Sequence, residues 1–378
     1  MIAQTESERA ALIERLERLV EEATAAETDL DLETAERLWR EGIRAMPDDP
    51  AIQAYVGSFL LSTGQLEEAE LLFRRALNRA PRNPPWEPHM RFIIAQAQLA
   101  GGMDTRSAWE GLRWRFAASD LAHPELPGRE WKGEPLRGRR LIIVKEQGFG
   151  DEIQCARFAL ALQARGERVV LTCSPELEPL FRSMGVETMA VEHDDDFAAT
   201  SPDDRWVLLF DIPARAGFRL KNLPPAPYIP TPAATTPRGY SVGVVAEGNA
   251  VHWNDERRSL PAELACRLRQ LPGAMSLHVR DTNAENFADT AAIIAGLDLV
   301  ITVDTSVAHL AGAMGKPVWI MLPAFGVDWR WQRGREDSPW YPSARLYRQP
   351  KAGDWLSVIE RIERDLAERT FTAFGAAA

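Results

Sequence analysis

The stretch DLVITVDTSVAHLAGAMGKPVWIML, residues 298–322, decides the fold. It contains an apolar segment without alternation at 299–301, a polar turn, a helix-forming segment rich in small residues and a second apolar segment. Continuous apolar strands are typical of parallel sheets that are covered on both faces. Small residues let the connecting helix lie close to such a sheet. The stretch therefore predicts a strand–helix–strand unit of a parallel α/β domain.

The polar turn of this stretch is a candidate anion site. A helix that begins near Ser306 has free backbone N–H groups and the positive end of its dipole at the carboxyl edge of the sheet, where a diphosphate can bind. Thr305 and Ser306 are the candidate contacts, whereas Asp304 is expected to orient the turn. His309, one turn further on, is either a packing residue or a phosphate contact. The same spacing also occurs in an ordinary strand–helix–strand unit without a ligand.

Composition and charge exclude several classes of protein. The chain has 378 residues, of which 45% are hydrophobic and 26% charged, as in a soluble protein of two or three domains. The net charge of −11 argues against nucleic-acid binding, which needs a basic stripe. The sequence has no run of about 18 apolar residues, so we expect no membrane span and a cytoplasmic protein. The three cysteines are far apart, so we expect reduced thiols and no metal site.

The first third of the chain carries an internal repeat. Four residues recur with an offset of 34: Ala35, Trp39, Gly42 and Pro47 become Ala69, Phe73, Ala76 and Pro81. This offset is the tetratricopeptide period and predicts paired helices over 1–120. Stacked helical repeats present a concave face, which suggests a protein partner for this region.

The rest of the chain alternates between strand and helix patterns twice. The first series occupies 141–235 and the second 236–352, and a proline-rich segment separates them. Such alternation predicts two parallel α/β domains with a cleft between them. We further expect a linker at 121–140 and a C-terminal helix with its tail at 353–378.

Four segments resemble a known family. They are EQGFGDEIQCARF (146–158), GNAVHWNDERRSLP (248–261), FADTAAIIAGLDLVITVDTSVAHLAGAMGKPVW (287–319) and DWRWQRGREDSPWYPSARLYRQP (328–350). Together they are similar to bacterial tetratricopeptide proteins with a glycosyltransferase domain of the heptosyltransferase type, glycosyltransferase family nine. The resemblance implies a GT-B fold, in which two Rossmann-like domains face each other across a cleft. It also implies an inverting, metal-independent transfer without a cofactor, from a nucleotide-diphosphate sugar to a hydroxyl of a glycan or protein.

The resemblance assigns roles to particular residues. Inverting transfer needs a base that takes the proton of the acceptor hydroxyl. Asp151 follows Gly148 and Gly150 at the first strand-to-helix turn, and it matches the catalytic aspartate of the family's Gly-Asp motif. The alternative is that Asp151 only caps its helix. Arg258 matches the family's Arg-Ser pair and would offset the charge of the leaving diphosphate.

The remaining candidates complete the predicted site. The donor-binding set is Asp304, Thr305, Ser306, His309, Arg258, His252, Gly248 and Asn249. The acceptor or sugar contacts are Gln147, Gln154, Trp329 and Trp331, although aromatic residues in such a stretch are often packing residues.

Some segments depart from the family pattern. Glu247 stands in a tripeptide where relatives have Trp-Ala-Gly or Trp-Ser-Gly, which puts a carboxylate near the expected diphosphate. Residues 211–228 keep only fragments of the acceptor-side pattern. An inactive scaffold that binds protein partners through its repeats is therefore the alternative function, and a nucleotide-sugar epimerase is a third.

Overall fold

The computed structural model describes residues 6–79, 84–118, 126–192, 200–232, 240–252 and 254–375. Pro81, the beginning of the predicted linker and the end of the proline-rich segment lie outside these ranges.

The N-terminal region is helical. Its helices are α1 (Glu6–Thr28), α2 (Leu32–Ala45), α3 (Pro50–Thr63), α4 (Leu66–Arg79), α5 (Glu87–Ala100) and α6 (Arg106–Gly111), followed by a short 3₁₀ helix at Leu112–Arg115. The repeated helix positions are buried, with Trp39 and Phe73 at most 2% exposed, whereas Pro47 is exposed. Gly57 lies against Phe73, since a Cβ at position 57 would come within 2.7 Å of the Phe73 ring. Helices α3 and α4 therefore pack in close contact at this position.

The first Rossmann-like domain contains a parallel sheet. Its described strands are β1 (Arg129–Glu130), β2 (Arg140–Val144), β3 (Arg168–Cys173), β4 (Glu187–Ala190) and β5 (Arg205–Leu208), in the order β1-β5-β2-β3-β4. Its helices are α7 (Phe149–Ala164), α8 (Glu178–Arg182) and α9 (Ile212–Ala216). Helix α7 follows β2 and therefore begins at the carboxyl edge of this sheet.

The second Rossmann-like domain has the same kind of sheet. Its described strands are β6 (Val242–Val245), β7 (Ala274–Ser276), β8 (Leu299–Val303), β9 (Val318–Leu322) and β10 (Ala344–Arg348), in the order β10-β9-β8-β6-β7. Its helices are α10 (Asp255–Arg258), α11 (Ala262–Arg269), α12 (Val279–Thr282), α13 (Phe287–Ala295), α14 (Ser306–Ala313) and α15 (Trp355–Gly375). Every residue of β8 and β9 is buried, which explains their unbroken apolar sequence. The predicted fold class, a helical region followed by two Rossmann-like domains, is confirmed.

Two strands were not predicted. Strand β1 lies inside the expected linker 121–140, where Trp131 and Leu136 are buried in the core of the first domain. The Trp131 backbone N–H donates to Trp206 at 2.6 Å, so this segment extends the sheet edge instead of spanning open solvent. Strand β10 lies in the segment 328–350, which is rich in tryptophan and tyrosine, and pairs with β9.

Among the described residues, no helix is both long and apolar enough to cross a membrane.

The helical region forms hydrogen bonds with both Rossmann-like domains. Arg115 makes two 2.7 Å hydrogen bonds to the Glu146 carboxylate and one of 2.8 Å to Asp211, and all three side chains are at most 5% exposed. On the other side, Arg333 donates to the Ser62 carbonyl at the end of α3 at 2.9 Å. The helical region therefore bridges the two Rossmann-like domains.

We predict that Arg115→Ala lowers the free energy of unfolding by about 3–5 kcal/mol, because it takes from the buried Glu146 carboxylate the arginine that pairs with it and leaves the buried Asp211 with Arg113 alone. The measurement is a urea titration of the full chain. The control is Arg106→Ala, whose ion pair with Glu110 lies on the surface and should contribute only about 0.3–0.5 kcal/mol. Equal losses in the two variants would contradict the bridging role of Arg115.

Candidate active site

The beginnings of two helices meet between the domains. Gly150, in the first turn of α7, lies against α14 so closely that a Cβ there would be 2.9 Å from His309 Cδ2 and 3.6 Å from the Ser306 Cα atom. Glycine is the residue that permits this approach. The next residue, Asp151, is consequently held beside the turn that precedes α14. The structure thus brings the predicted base and the predicted diphosphate turn together across the domain boundary.

Asp151 makes two contacts that hold its carboxylate. Its Oδ2 accepts from the Gly148 backbone N–H at 3.0 Å, as a capping residue does, and its Oδ1 accepts from Arg330 Nη2 at 2.5 Å. The side chain remains 21% exposed. Burial raises the pKa of Asp151, and the Arg330 guanidinium opposes that rise. The capping alternative is therefore real, and the base role stays a prediction that is compatible with it.

Arg330 was not among the predicted site residues. It comes from the second domain, and its Nε donates to Gln154 Oε1 at 2.8 Å and its Nη1 to Asp328 Oδ2 at 2.7 Å. Burial by itself would lower the pKa of Arg330, but the carboxylates of Asp328 and Asp151 outweigh it and raise the pKa. The arginine is thus a fixed cation. Its only sequence signal was its place between two tryptophans in the segment DWRW.

The beginning of α14 offers backbone donors. No described residue accepts a hydrogen bond from the backbone N–H of Ser306 or Val307. The Thr305 hydroxyl lies 3.2 Å from that of Thr302 at the end of β8, which fixes the turn. The predicted pair Thr305 and Ser306 is therefore placed at a helix start with unused donors.

Arg258 supplies positive charge at the same turn. Its Nη1 donates to the Asp304 backbone carbonyl at 2.9 Å and its Nε to Asp255 Oδ1 at 3.1 Å. The loop after β6 can cover Arg258 because residue 248 is glycine, where a Cβ would come within 2.7 Å of the guanidinium. Arg258 thus lies next to the turn and Gly248 lies beside Arg258, while their contact with a donor stays a prediction.

The side chain of Asp304, in the same turn, has a strongly raised pKa. Burial, reinforced by the neighbouring Asp328 carboxylate, raises the pKa of Asp304 to about 7. Near neutral pH the side chain is therefore protonated in part of the molecules. In that form it does not repel an anion at the helix start.

The loop after β6 contributes two further predicted residues. His252 lies within electrostatic reach of Asp151 and Asp328, and burial together with Arg258 lowers its pKa. Asn249 is exposed, and its Oδ1 accepts from the Val251 backbone N–H at 3.2 Å, which shapes the loop. The contact of both residues with a donor remains a prediction.

The prediction of His309 as a donor contact is wrong. The imidazole is 6% exposed, its Nδ1 is 2.9 Å from the Tyr341 hydroxyl, and the ring stacks on Trp331 at 5.3 Å. Burial lowers the pKa of His309 to about 3, so it is neutral. Its place beneath Gly150 makes it a packing residue that supports the approach of α7.

Three of the predicted acceptor contacts are also packing residues. Gln154 is fully buried and holds Arg330. Trp329 packs edge-on against Trp109 at 5.9 Å, and Trp331 is fully buried against His309. Because these three side chains are buried, the predictions that they contact an acceptor or a sugar are wrong. Gln147, in contrast, is exposed and has a φ of +65°, and its acceptor contact stays a prediction.

Glu247 does not present an unpaired carboxylate. Its two oxygens accept from Arg269 at 2.7 Å and from Arg280 at 3.1 Å. The hydrogen bond from Arg269 is the main cause of its lowered pKa. The carboxylate that departs from the family pattern at this position is therefore paired locally with two arginines. In the described part of the chain, no group of three or more His, Cys, Asp or Glu side chains could hold a metal ion.

Comparison with known proteins supports part of the resemblance. Residues 257–321 match the model of Glycosyltransferase family 9 (heptosyltransferase), a range that includes Arg258 and the beginning of α14 but not Asp151. This match supports a glycosyltransferase.

Two individual proteins are similar over most of the chain. Protein FlbA of Caulobacter vibrioides is 28% identical over 382 residues, which cover 87% of this chain and 63% of that protein. The chain thus spans less than two thirds of the length of this curated relative. A mutant of the O-GlcNAc transferase of Thermobaculum terrenum has 15% sequence identity and a TM-score of 0.24, covering 86% of this chain and 84% of that one.

We predict that Asp304→Asn stabilises the protein more at high pH than at low pH. The carboxyl titrates near 3.8 when unfolded and at about 7 when folded, so the folded state binds the extra proton between these values and loses stability as the pH rises through them. Asparagine mimics the protonated form. The melting temperature difference between variant and wild type should therefore grow from pH 5 to pH 8.

The control for this measurement is Asp354→Asn. A hydrogen bond from the Ser357 backbone N–H lowers the pKa of Asp354, so this residue is ionised in both states throughout that range. Its effect on the melting temperature should not change with pH. A constant difference for Asp304→Asn as well would show that Asp304 does not titrate as described.

Proposed function

We propose that this chain is an inverting, metal-independent glycosyltransferase that moves a sugar from a nucleotide-diphosphate sugar to a hydroxyl of a glycan or protein. One observation carries the proposal. The unused N–H groups at the start of α14, with Arg258 beside them, lie close to Gly150 of the other domain, the residue that precedes Asp151. The family match over 257–321 supports the transferase class.

The donor half of the site follows from these charges. The diphosphate would accept hydrogen bonds from the backbone N–H groups of Ser306 and Val307, and Arg258 would lie alongside. Fixed donors of this kind stabilise the charge that develops on a leaving diphosphate, a task that a metal performs in other transferases. Because Asp304 titrates near neutral pH, it can take up a proton when the diphosphate arrives. We propose that no cofactor takes part.

The acceptor half depends on Asp151. As the acceptor oxygen attacks the anomeric carbon, its proton passes to the Asp151 carboxylate, and the bond between the anomeric carbon and the diphosphate breaks. Arg330 donates to one carboxylate oxygen, and its positive charge opposes the rise in the pKa of Asp151 that burial causes. Each carboxylate oxygen has a further lone pair for the acceptor hydroxyl.

We also propose that the helical region recruits the acceptor and that the protein acts in the cytoplasm. The helical region is joined rigidly to both domains, so a protein held on its surface would keep a constant relation to the cleft. The free thiols of Cys155, Cys173 and Cys266 favour a reducing compartment, as expected of the cytoplasm.

A second candidate function is an inactive scaffold that binds protein partners. One observation favours it: both oxygens of Asp151 already have partners, in Gly148 and Arg330. A carboxylate held only for structural reasons would look the same. The two functions differ in whether a nucleotide sugar binds and reacts.

We predict that Asp151→Asn separates binding from turnover. Calorimetry with ADP-, GDP- and UDP-linked sugars first identifies the donor that binds. With that donor, the variant should bind within a few-fold of wild type, because asparagine keeps the shape of the residue. Its rate of sugar transfer or donor hydrolysis should fall by about 10²–10⁴-fold, the usual contribution of a general base. Product chromatography measures the rate.

A pair of arginine variants controls this experiment. Arg258→Ala should weaken donor binding by at least about tenfold, since it removes a hydrogen bond to a charged group. Arg267→Ala removes a cation that pairs with Glu363 on α15 and should leave binding unchanged. Unchanged turnover in Asp151→Asn would refute the base, and failure of every donor to bind would favour the scaffold.

A further inference from the structure

A pocket of about 270 Å³ lies between the helical region and the second Rossmann-like domain. Pro323 and Gln349, which follow β9 and β10 directly, line it on the sheet side, and Leu30 lines it from the turn between α1 and α2. Arg257 and Trp355 also belong to its wall. The pocket is therefore built from parts of the chain that are far apart in sequence, and none of the predicted site residues lines it.

Gln349 leaves a buried donor without a partner. Its Oε1 accepts from the backbone N–H groups of Ala324 at 3.0 Å and Gly353 at 3.3 Å, which fixes the orientation of the amide. The side chain is 6% exposed, and its Nε2 has no hydrogen-bond partner among the described residues. A buried donor without a partner destabilises a protein, so an acceptor atom from a ligand would be favoured here.

Arg257 adds positive charge to the same pocket. Its guanidinium lies over the Phe325 ring at 4.6 Å, and no described residue forms an ion pair or hydrogen bond with it. Two carboxylates are near: Glu256 is exposed, and Glu27 accepts from Trp39 Nε1 at 2.6 Å while burial raises its pKa. The guanidinium donors are therefore available to a ligand.

Apolar residues form most of the remaining wall of the pocket, together with Glu256 and Ser259. Leu30, Leu260, Pro323 and Trp355 surround the two donors. A ligand that suits this lining has an acceptor group with negative charge at one end and a compact apolar body at the other. A carboxylate matches the planar donor array of an arginine better than a single point charge does.

We propose that this pocket binds a small carboxylic acid with an apolar body of about amino-acid size, with its carboxylate held by Arg257 and Gln349. The site is separate from the proposed donor site, although both adjoin α10. Arg257 faces the pocket, whereas the neighbouring Arg258 holds the Asp304 carbonyl. A bound acid would thus stabilise the single helical turn that also positions Arg258.

The test compares two probes that differ only in the anionic group. Calorimetry of the full chain is carried out with N-acetyl-leucine and with N-acetyl-leucinamide, in the absence of any nucleotide sugar. We expect the acid to bind with a dissociation constant below about 1 mM and the neutral amide to bind at least about tenfold more weakly. The result does not depend on whether the chain transfers sugars.

Two variants assign the binding to this pocket. Gln349→Glu keeps the Oε1 acceptor for Ala324 and Gly353 but replaces the free donor by an acceptor, and Arg257→Gln removes the cation. Each should weaken binding of the acid by at least about tenfold, while Arg267→Gln, a cation outside the pocket, should have no effect. Melting temperatures of the variants verify that each one is folded.

Three outcomes would overturn the proposal. They are equal binding of acid and amide, no binding of the acid at about 10 mM, and binding that survives both Arg257→Gln and Gln349→Glu.

Discussion

The close approach of two helices at Gly150 is the constraint on which the site depends. A side chain at this position would collide with His309, so any other residue would push α7 away from α14. With glycine, the carboxylate of Asp151 and the free N–H groups at Ser306 lie on opposite sides of one boundary. Each group is ordinary by itself, since an aspartate caps many helices and every helix has unused donors. Their juxtaposition allows acid–base chemistry next to a bound anion.

Arginines held in fixed positions balance the negative charges of this site. Two carboxylates, Asp151 and Asp328, are held by Arg330, and Arg258 lies beside the proposed anion-binding turn. Without these cations the site would repel a diphosphate. The helical region reinforces the arrangement, because Arg115 and Arg333 tie it to one domain each. The arrangement of the two domains is consequently maintained by side chains from three parts of the chain, which suits a preorganised site.

The sequence predicted those parts of the structure that local patterns determine. The 34-residue offset predicted the helical pairs, and unbroken apolar runs predicted the buried strands β8 and β9. The turn at 304–306 followed from the same pattern. Arg330 was not predicted as a site residue, because its role arises from a contact with Asp151. That residue is 179 positions away, and no local sequence pattern encodes the contact. His309, Trp329 and Trp331 were misassigned for a related reason, since only the packing of the two domains shows that they are buried.

The central claim is that a diphosphate binds at the start of α14 opposite Asp151. A crystal structure of the chain with the nucleoside diphosphate that calorimetry selects tests it most directly. The account predicts phosphate oxygens within about 3 Å of the backbone nitrogens of Ser306 and Val307, with the Arg258 guanidinium alongside and the Asp151 carboxylate facing the open side of the phosphate. A diphosphate bound elsewhere, with these two N–H groups in contact with water or protein alone, would contradict it.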